Sequence, residues 1–401
     1  MIRERQINST TFNAGSTVLV DLPRDAVFHL LQFSIMGGLY SDTFASGLSS
    51  TFESNFPFSI IRNLRLIRNG SDVVWQGSGS QLSKEHYYLN NAAPFARIYT
   101  LGANVEVLAT AVVRGVTVPA NADGINANGG GFANPAATTV QCLFDMQMEL
   151  WLQQGPADAY YGTLVDARIL ATWQGEITWA TIAQIAIPGS VVTAQTLAAT
   201  LNILSIDQDN VDYQSPFGTF KRSANSQTAI AYGSSNYQVL LPRGNYFHGI
   251  ILQTRAYKAS STVILSPENS VLGLIDNRIN SNFSLRKFNF LQLQAKNQSD
   301  LGGKHQPYAT SGMPQGYAYL YYPVAGNNAN EMVPTYVMDQ FDFQLSVNAA
   351  SQATNGATTN ATLPTIDMLI QEVIPGVSVA AGAPRGAQMG SVARTSAKPY
   401  G

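Results

Sequence analysis

Residues 22–33 read LPRDAVFHLLQF, and residues 241–252 read LPRGNYFHGIIL. Leu22, Pro23, Arg24, Phe28 and His29 recur at the same spacing as Leu241, Pro242, Arg243, Phe247 and His248. An apolar alternating run precedes each copy (STVLVD, NYQVL) and another follows it (LLQFSIMGGLY, GIILQTRAY). The Pro-Arg step therefore connects two strands in both places. Downstream the order is kept. LRLIRNGSDVVWQG answers LGLIDNRINSNFSL, each with a polar turn, around Asn69 in one and Asn277 in the other. MQMELWLQQGPADAYYGTL answers GYAYLYYPVAGNNANEMVP, ARILATWQGEI answers DQFDFQLSVNA, and LNILSIDQD answers IDMLIQEVI. The chain reads as one β-domain written twice, over residues 14–213 and 214–378, between an N-terminal arm at 1–13 and a flexible tail at 379–401.

The local pattern has the period of strands. In FDFQLSV, Phe341, Phe343, Leu345 and Val347 fall on one face and Asp342, Gln344 and Ser346 on the other. Many such short runs, rich in Val, Ile, Tyr, Phe and Trp and separated by Gly, Pro, Asn and Ser, predict an all-β chain of sandwiches or barrels. Helix is confined to three short candidates: SKEHYYLNN, PADAYYGTLV and TAQTLAATL.

Composition narrows the function. Charged residues make up 12% of the 401 residues and the formal net charge is −2, against a usual charged share of about 25%. A nucleic-acid binder draws its affinity from Lys and Arg neutralising phosphates, so sequence-specific nucleic-acid binding is not expected. A surface poor in charge and rich in Asn, Ser, Thr, Gln and Ala suits a protein that buries much of its exterior against neighbours. The single cysteine, Cys142, allows no intrachain disulfide and no thiolate zinc site, and its apolar flanks make it a core residue. The N-terminus has no apolar stretch of the secretory kind, and no run reaches the roughly 18 apolar residues of a membrane span. These features predict a soluble protein made in a reducing cytoplasm.

No stretch carries a catalytic, cofactor or metal signature. His29 and His248 are matched positions of the two copies, so they belong to separate domains; His86 lacks an HExxH partner, and His305 stands alone. DQDNVD places Asp207, Asp209 and Asp212 together, but Val211 and Asp212 break the spacing of a calcium loop. A solvated turn is the plain reading, with incidental cation binding as the alternative. The glycine-rich NANGGGFANPAATT (126–139) lacks the Lys-Ser/Thr or GxGxxG frame of a phosphate cradle, and GSGS at 77–80 fails in the same way. The end of the chain, from Gly376, carries Arg385, Arg394 and Lys398 with no acid. It is either a disordered tail or an arm that orders on a neighbour or an anionic membrane.

With strand order and duplication established, the chain resembles the double jelly-roll major capsid proteins of tailless icosahedral viruses. These include tectivirus-like bacteriophages with an internal membrane, with adenovirus hexon a distant relative. The resemblance is carried by FSIIRNLRLIRNGSDVVWQGSGSQL, by MELWLQQGPADAYYGTLVDARILATWQGEITWA, and by GYAYLYYPVAG and DQFDFQLSV in the second copy. It implies two tandem eight-stranded antiparallel jelly-roll sandwiches with a few short helices. It also implies homotrimers that act as pseudo-hexagonal capsomers, contacts with other capsid proteins such as a penton, and residence in the virion after synthesis in the host cytoplasm. A spike or lectin-like carbohydrate-binding β-sandwich is the alternative, and needs tryptophans in exposed loops. Trp75, Trp151 and Trp179 instead fall within predicted strands and Trp173 directly follows one. A cupin-like enzyme needs a histidine cluster that this sequence lacks.

Overall fold

The computed structural model describes the chain apart from residues 1, 42–49, 54, 91–93, 103–104, 109–110, 114–115, 119–138, 153–162, 189–194, 210–217, 229, 258–264, 302–314, 323–331, 350–362 and 375–401. The glycine-rich loop at 126–138, His305, Asp212, the helix candidate over 156–162 and the C-terminal tail lie outside the described residues.

The first half supplies β1 (Ile2–Thr11), β2 (Thr17–Asp21), β3 (Val27–Ser41), β4 (Ile61–Arg68), β5 (Asp72–Gly77), helix α1 (Gly79–Asn90), β6 (Thr139–Trp151), β7 (Trp173–Trp179) and β8 (Gln195–Gln208). The second half repeats that series as β9 (Thr219–Gln227), β10 (Tyr237–Leu240), β11 (Tyr246–Tyr257), β12 (Leu272–Ile279), β13 (Phe283–Asn289), helix α2 (Phe290–Leu301), β14 (Tyr317–Tyr321), β15 (Phe341–Val347) and β16 (Thr365–Ile374). Antiparallel pairing gives the sheets β1–β8–β3–β6 and β2–β7–β4–β5 in the first lobe. The second lobe has β9–β16–β11–β14 and β10–β15–β12–β13, the same order element for element. Each lobe is thus a sandwich of two four-stranded faces, a jelly roll, with shorter strands such as Phe95–Gly102 at the margins. The sheets are not all separate. β5 pairs in parallel with β9, Arg222 opposite Trp75 and Ser223 opposite Gln76, so one sheet runs continuously from lobe to lobe.

The duplicated LPRxxxFH frame has a physical reason at every position. Leu22 and Leu241 are buried, and their backbone N–H groups donate to the carbonyls of Trp173 and Phe341. Arg24 reaches the carbonyls of Leu170 and Ala171, and Arg243 those of Met338 and Asp339. Each arginine therefore clips the chain entering β7 or β15 onto the turn. Phe28 packs on Trp173 with ring centroids 6.3 Å apart, and Phe247 on Phe341 at 4.9 Å. Both phenylalanines are fully buried. His29 and His248 occupy the bulge at which β3 and β11 shift register against β8 and β16.

Four expectations change, the first being that LRKFNFLQLQ, expected as a strand, turns at Asn289 from β13 into helix α2. The second-copy match of Asn69 is Asn280, not Asn277. Both Asn69 and Asn280 have φ of 50° at the tip of a hairpin, the left-handed region that asparagine tolerates. Both side-chain oxygens accept from the entering strand, Ala171 N–H in one and Asp339 and Gln340 N–H in the other. Asn277 is instead buried in β12, donating to the Asp342 carbonyl. TAQTLAATL is strand rather than helix: Leu197, Ala199, Leu201 and Ile203 alternate inward along β8. Its alanines face Gly37, where a Cβ would lie 2.5 Å from the Ala198 carbonyl, so small residues let β3 and β8 approach. Residues 2–11, expected within an arm, form β1 along β8, because Arg3 and Arg5 both bond the buried Asp207. SKEHYYLN, residues 83–90, is helical and ends α1. Among the described residues no helix is long and apolar enough to cross a membrane.

Candidate functional site at the junction of the two lobes

A buried polar cluster lies between the lobes, around α1. β5 ends at Gly77, and Ser78 caps the helix: its N–H donates to Gln81 Oε1 at 2.9 Å while its hydroxyl accepts the Gln81 N–H at 3.2 Å, a capping box. Gly79 lies so close to residues 58–60 that a Cβ would meet the Phe58 carbonyl at 2.2 Å. The helix is thereby held against the protein on all sides. Lys84, Glu85 and His86 are buried there, at 2%, 4% and 8% exposure.

Most of these buried groups are answered by hydrogen bonds, while Arg222 Nε and Nη1 make none and rely on the ion pair with Glu85. Glu85 Oε2 accepts from the Trp75 indole at 2.7 Å, and Oε1 accepts from the Gln371 amide at 3.1 Å. Arg222, on β9 of the second lobe, brings its Nε within 3.3 Å of Glu85 Oε1 and donates from Nη2 to the Trp151 carbonyl at 2.7 Å. Burial pulls the Arg222 pKa down, and Glu85 opposes that shift. Gln371 Oε1 also accepts the Tyr319 hydroxyl at 2.7 Å and lies 3.2 Å from His248 Nδ1. Lys84 sits 4.8 Å from the centre of the Tyr317 ring, and the Tyr317 hydroxyl donates to Asn55 at 3.1 Å. Ile251, Tyr317, Tyr319 and Leu369 of the second lobe belong to the apolar core of the first. The lobes are therefore one packed body whose seam carries an ion pair and a connected hydrogen-bond network, costly to leave half-made.

The residues singled out in the sequence fall elsewhere or serve this seam. His86 Nδ1 accepts the Glu149 N–H at 3.0 Å, and burial lowers its pKa to about 4. Burial likewise lowers His248 to about 4, and His29 is lowered for the same reason. His29 meets Gln208 at 3.3 Å, far along the fold from His248. Asp207 is held by Arg3 at 2.5 Å, Arg5 at 2.9 Å and Ser205 at 2.7 Å, so its charge is already compensated; Asp209 meets Arg3 at 3.4 Å. Among the described residues no group of three His, Cys, Asp or Glu side chains is arranged to hold a metal. Trp75, Trp173 and Trp179 are fully buried, while Trp151 bonds Glu149 at the end of β6. A polar cleft of about 460 Å³ opens beside the seam, lined by Arg62, Gln81, Asn225, Gln253, Arg255 and Asp367. Arg255 and Ser226 both close on Asp367 within it. The seam had no sequence signal, because Glu85 and Arg222 are brought together only by the pairing of β5 with β9.

Two sandwiches of identical strand order, fused edge to edge, define a double jelly roll. Solved structures with this fold are viral major capsid proteins. The crystal structure of the STIV MCP superposes with a TM-score of 0.59 at 14% identity, over 96% of this chain and 100% of that one. The atomic structure of Sulfolobus Turreted Icosahedral Virus gives 0.59 at 15% identity, over 98% and 96%. The Faustovirus major capsid protein gives 0.52 at 9% identity, over 93% and 89%. No family model matches the sequence, and no curated protein matches it.

Proposed function

We propose that this chain is a major capsid protein, a structural subunit that self-associates as a homotrimer to tile an icosahedral virus shell. The observation that carries the reading is the fused double jelly roll, which coincides over nearly the full length of both chains with capsid subunits. Three chains of two like lobes present six similar units around an axis, the arrangement a hexagonal position in a shell requires. The low charge supports it, since interfaces between copies exclude charge from their centres. The chain works in the virion after synthesis in the host cytoplasm, beside other capsid proteins such as a penton. The basic segment from Gly376 contacts an adjacent subunit or an underlying anionic membrane.

No catalytic role is part of this reading. The histidines at the seam are buried and kept neutral, engaged in holding strands together. A glycan-binding spike is disfavoured by the burial of Trp75, Trp173 and Trp179, which withdraws these three rings as stacking platforms. Sedimentation of the purified protein at micromolar concentration, with electron microscopy of its particles, tests the proposal. Trimers and closed shells are expected, and a stable soluble monomer overturns it.

A further inference from the structure

The two lobes share one fold but not one environment. β16 is buried on both faces from Thr365 to Val373, one face toward its own core and the other toward α1 and the first lobe. β8, the same strand of the first lobe, is buried only at alternate residues. Leu204 and Ile206 remain half-exposed on its outer face, Leu204 opposite Gln32 of β3 and Ile206 opposite the exposed Glu4 of β1. The helices show the complementary asymmetry. α1 is enclosed, whereas α2 leaves Leu291 58% exposed, with Ala295, Gln298 and Ser299 exposed beyond it. One lobe thus has an uncovered sheet, and the other an uncovered helix.

The matching of positions is fixed by hydrogen bonds. Asn289 and Gln292 cap α2 as Ser78 and Gln81 cap α1, which puts Lys296 where α1 has Glu85. Past the His29 and His248 bulges, Gly249 pairs Gln371, which pairs Arg222; Leu30 pairs Ile206, which pairs Glu4. Glu4 therefore stands where the second lobe has Arg222. The ion pair of the seam, Glu85 with Arg222, has its counterpart in Lys296 and Glu4 with both signs exchanged. Those two residues lie on the two uncovered surfaces.

We propose that the outer face of the β1–β8–β3–β6 sheet receives α2 of a second copy of this chain, with Lys296 of one copy set against Glu4 of the next. The contact repeats between chains the packing of α1 on the second lobe within one chain. Leu291 and Ala295 cover Leu204 and Ile206, and Lys296, which bonds Asp300 at 2.7 Å in the single chain, gains a second acid. The two surfaces differ, so the contact is head-to-tail and ends only by closing a ring. This inference rests on the self-assembly reading and specifies its interface.

The test uses the full-length chain. Lys296→Glu and Glu4→Lys should each weaken assembly about tenfold in sedimentation, and the chain carrying both exchanges should recover it, because the pair is restored with reversed sign. Glu4 is exposed and Lys296 half-buried, and thermal unfolding of each variant reports loss of fold separately. In a Cys142→Ala background, co-expressed Glu4→Cys and Lys296→Cys chains should be joined by a short bismaleimide into a mixed dimer that neither single variant forms alone. Assembly that ignores both charge changes and yields no mixed dimer overturns this interface and leaves the capsid reading standing. A wild-type chain that stays monomeric overturns both.

Discussion

His86 and Asn297 do the same work in the two lobes with different chemistry. His86 Nδ1 accepts the backbone N–H of Glu149 at 3.0 Å. Asn297 Oδ1 accepts that of Tyr319 at 2.8 Å, and its amide returns a bond to the Tyr319 carbonyl at 2.7 Å. In both cases the helix following a hairpin pins a backbone N–H of the returning strand. Only the first pin titrates.

That difference sets an acid sensitivity. His86 and His248 have pKa values lowered from 6.5 to about 4. As pH falls through 6.5 the unfolded chain takes up protons that the folded chain refuses until about 4. Their stabilising contribution is complete above pH 6.5 and declines toward 4 by about 1 kcal/mol per pH unit for each histidine. His86→Asn keeps an acceptor for Glu149, and should make the fall in stability shallower by about that amount. Urea unfolding at a series of pH values measures it, and an unchanged slope would assign the acid response to other groups.

Phe28→Ala and Phe247→Ala should each destabilise the protein by about 3–5 kcal/mol, since each empties a fully enclosed ring site. Matched positions predict similar losses in denaturant unfolding. A large loss at one and none at the other would show that the two cores are not equivalent in strength.

At the seam, Glu85→Gln or Arg222→Met leaves one charge buried alone, and should lower stability by about 3–5 kcal/mol. The double change Glu85→Leu with Arg222→Met removes both charges and should recover much of that loss. Equal loss in the single and double variants would show that the hydrogen bonds to Trp75 and Gln371, rather than the ion pair, hold the lobes together.

Asn69→Gly and Asn280→Gly should be tolerated to within about 1 kcal/mol, because glycine adopts φ of 50° freely. The β-branched Asn69→Val and Asn280→Val should cost more, about 1–3 kcal/mol. Thermal unfolding separates the two classes.

The duplication was legible because the residues that repeat are bound to fixed backbone geometry. Arg24 and Arg243 clip equivalent carbonyls, and Phe28 and Phe247 fill matching sites in the two lobes. Asn277 and Asn280 look alike in sequence as asparagines near a hairpin end, and the burial of Asn277 in β12 and the positive φ of Asn280 separate them. The start of α2 was hidden in LRKFNFLQLQ, where Phe288 and Phe290 alternate as the genuine strand β13 runs into the helix. The signal that ends the strand is the pair Asn289 and Gln292, a capping box that sequence periodicity does not register. The seam was illegible for another reason: a lone Glu85 in a polar stretch and a lone Arg222 in FKRSAN read as solvated charges until the fold joins them.

The parallel bonding of β5 to β9 has a mechanical consequence. A linker between two lobes leaves their mutual angle to be frozen when a partner arrives, and the lost freedom is subtracted from the binding energy. Here the angle is fixed inside the monomer by a shared sheet, Arg222 opposite Trp75 and Ser223 opposite Gln76. The two lobes therefore meet any partner as one rigid strut, with the angle between them already written into a single chain.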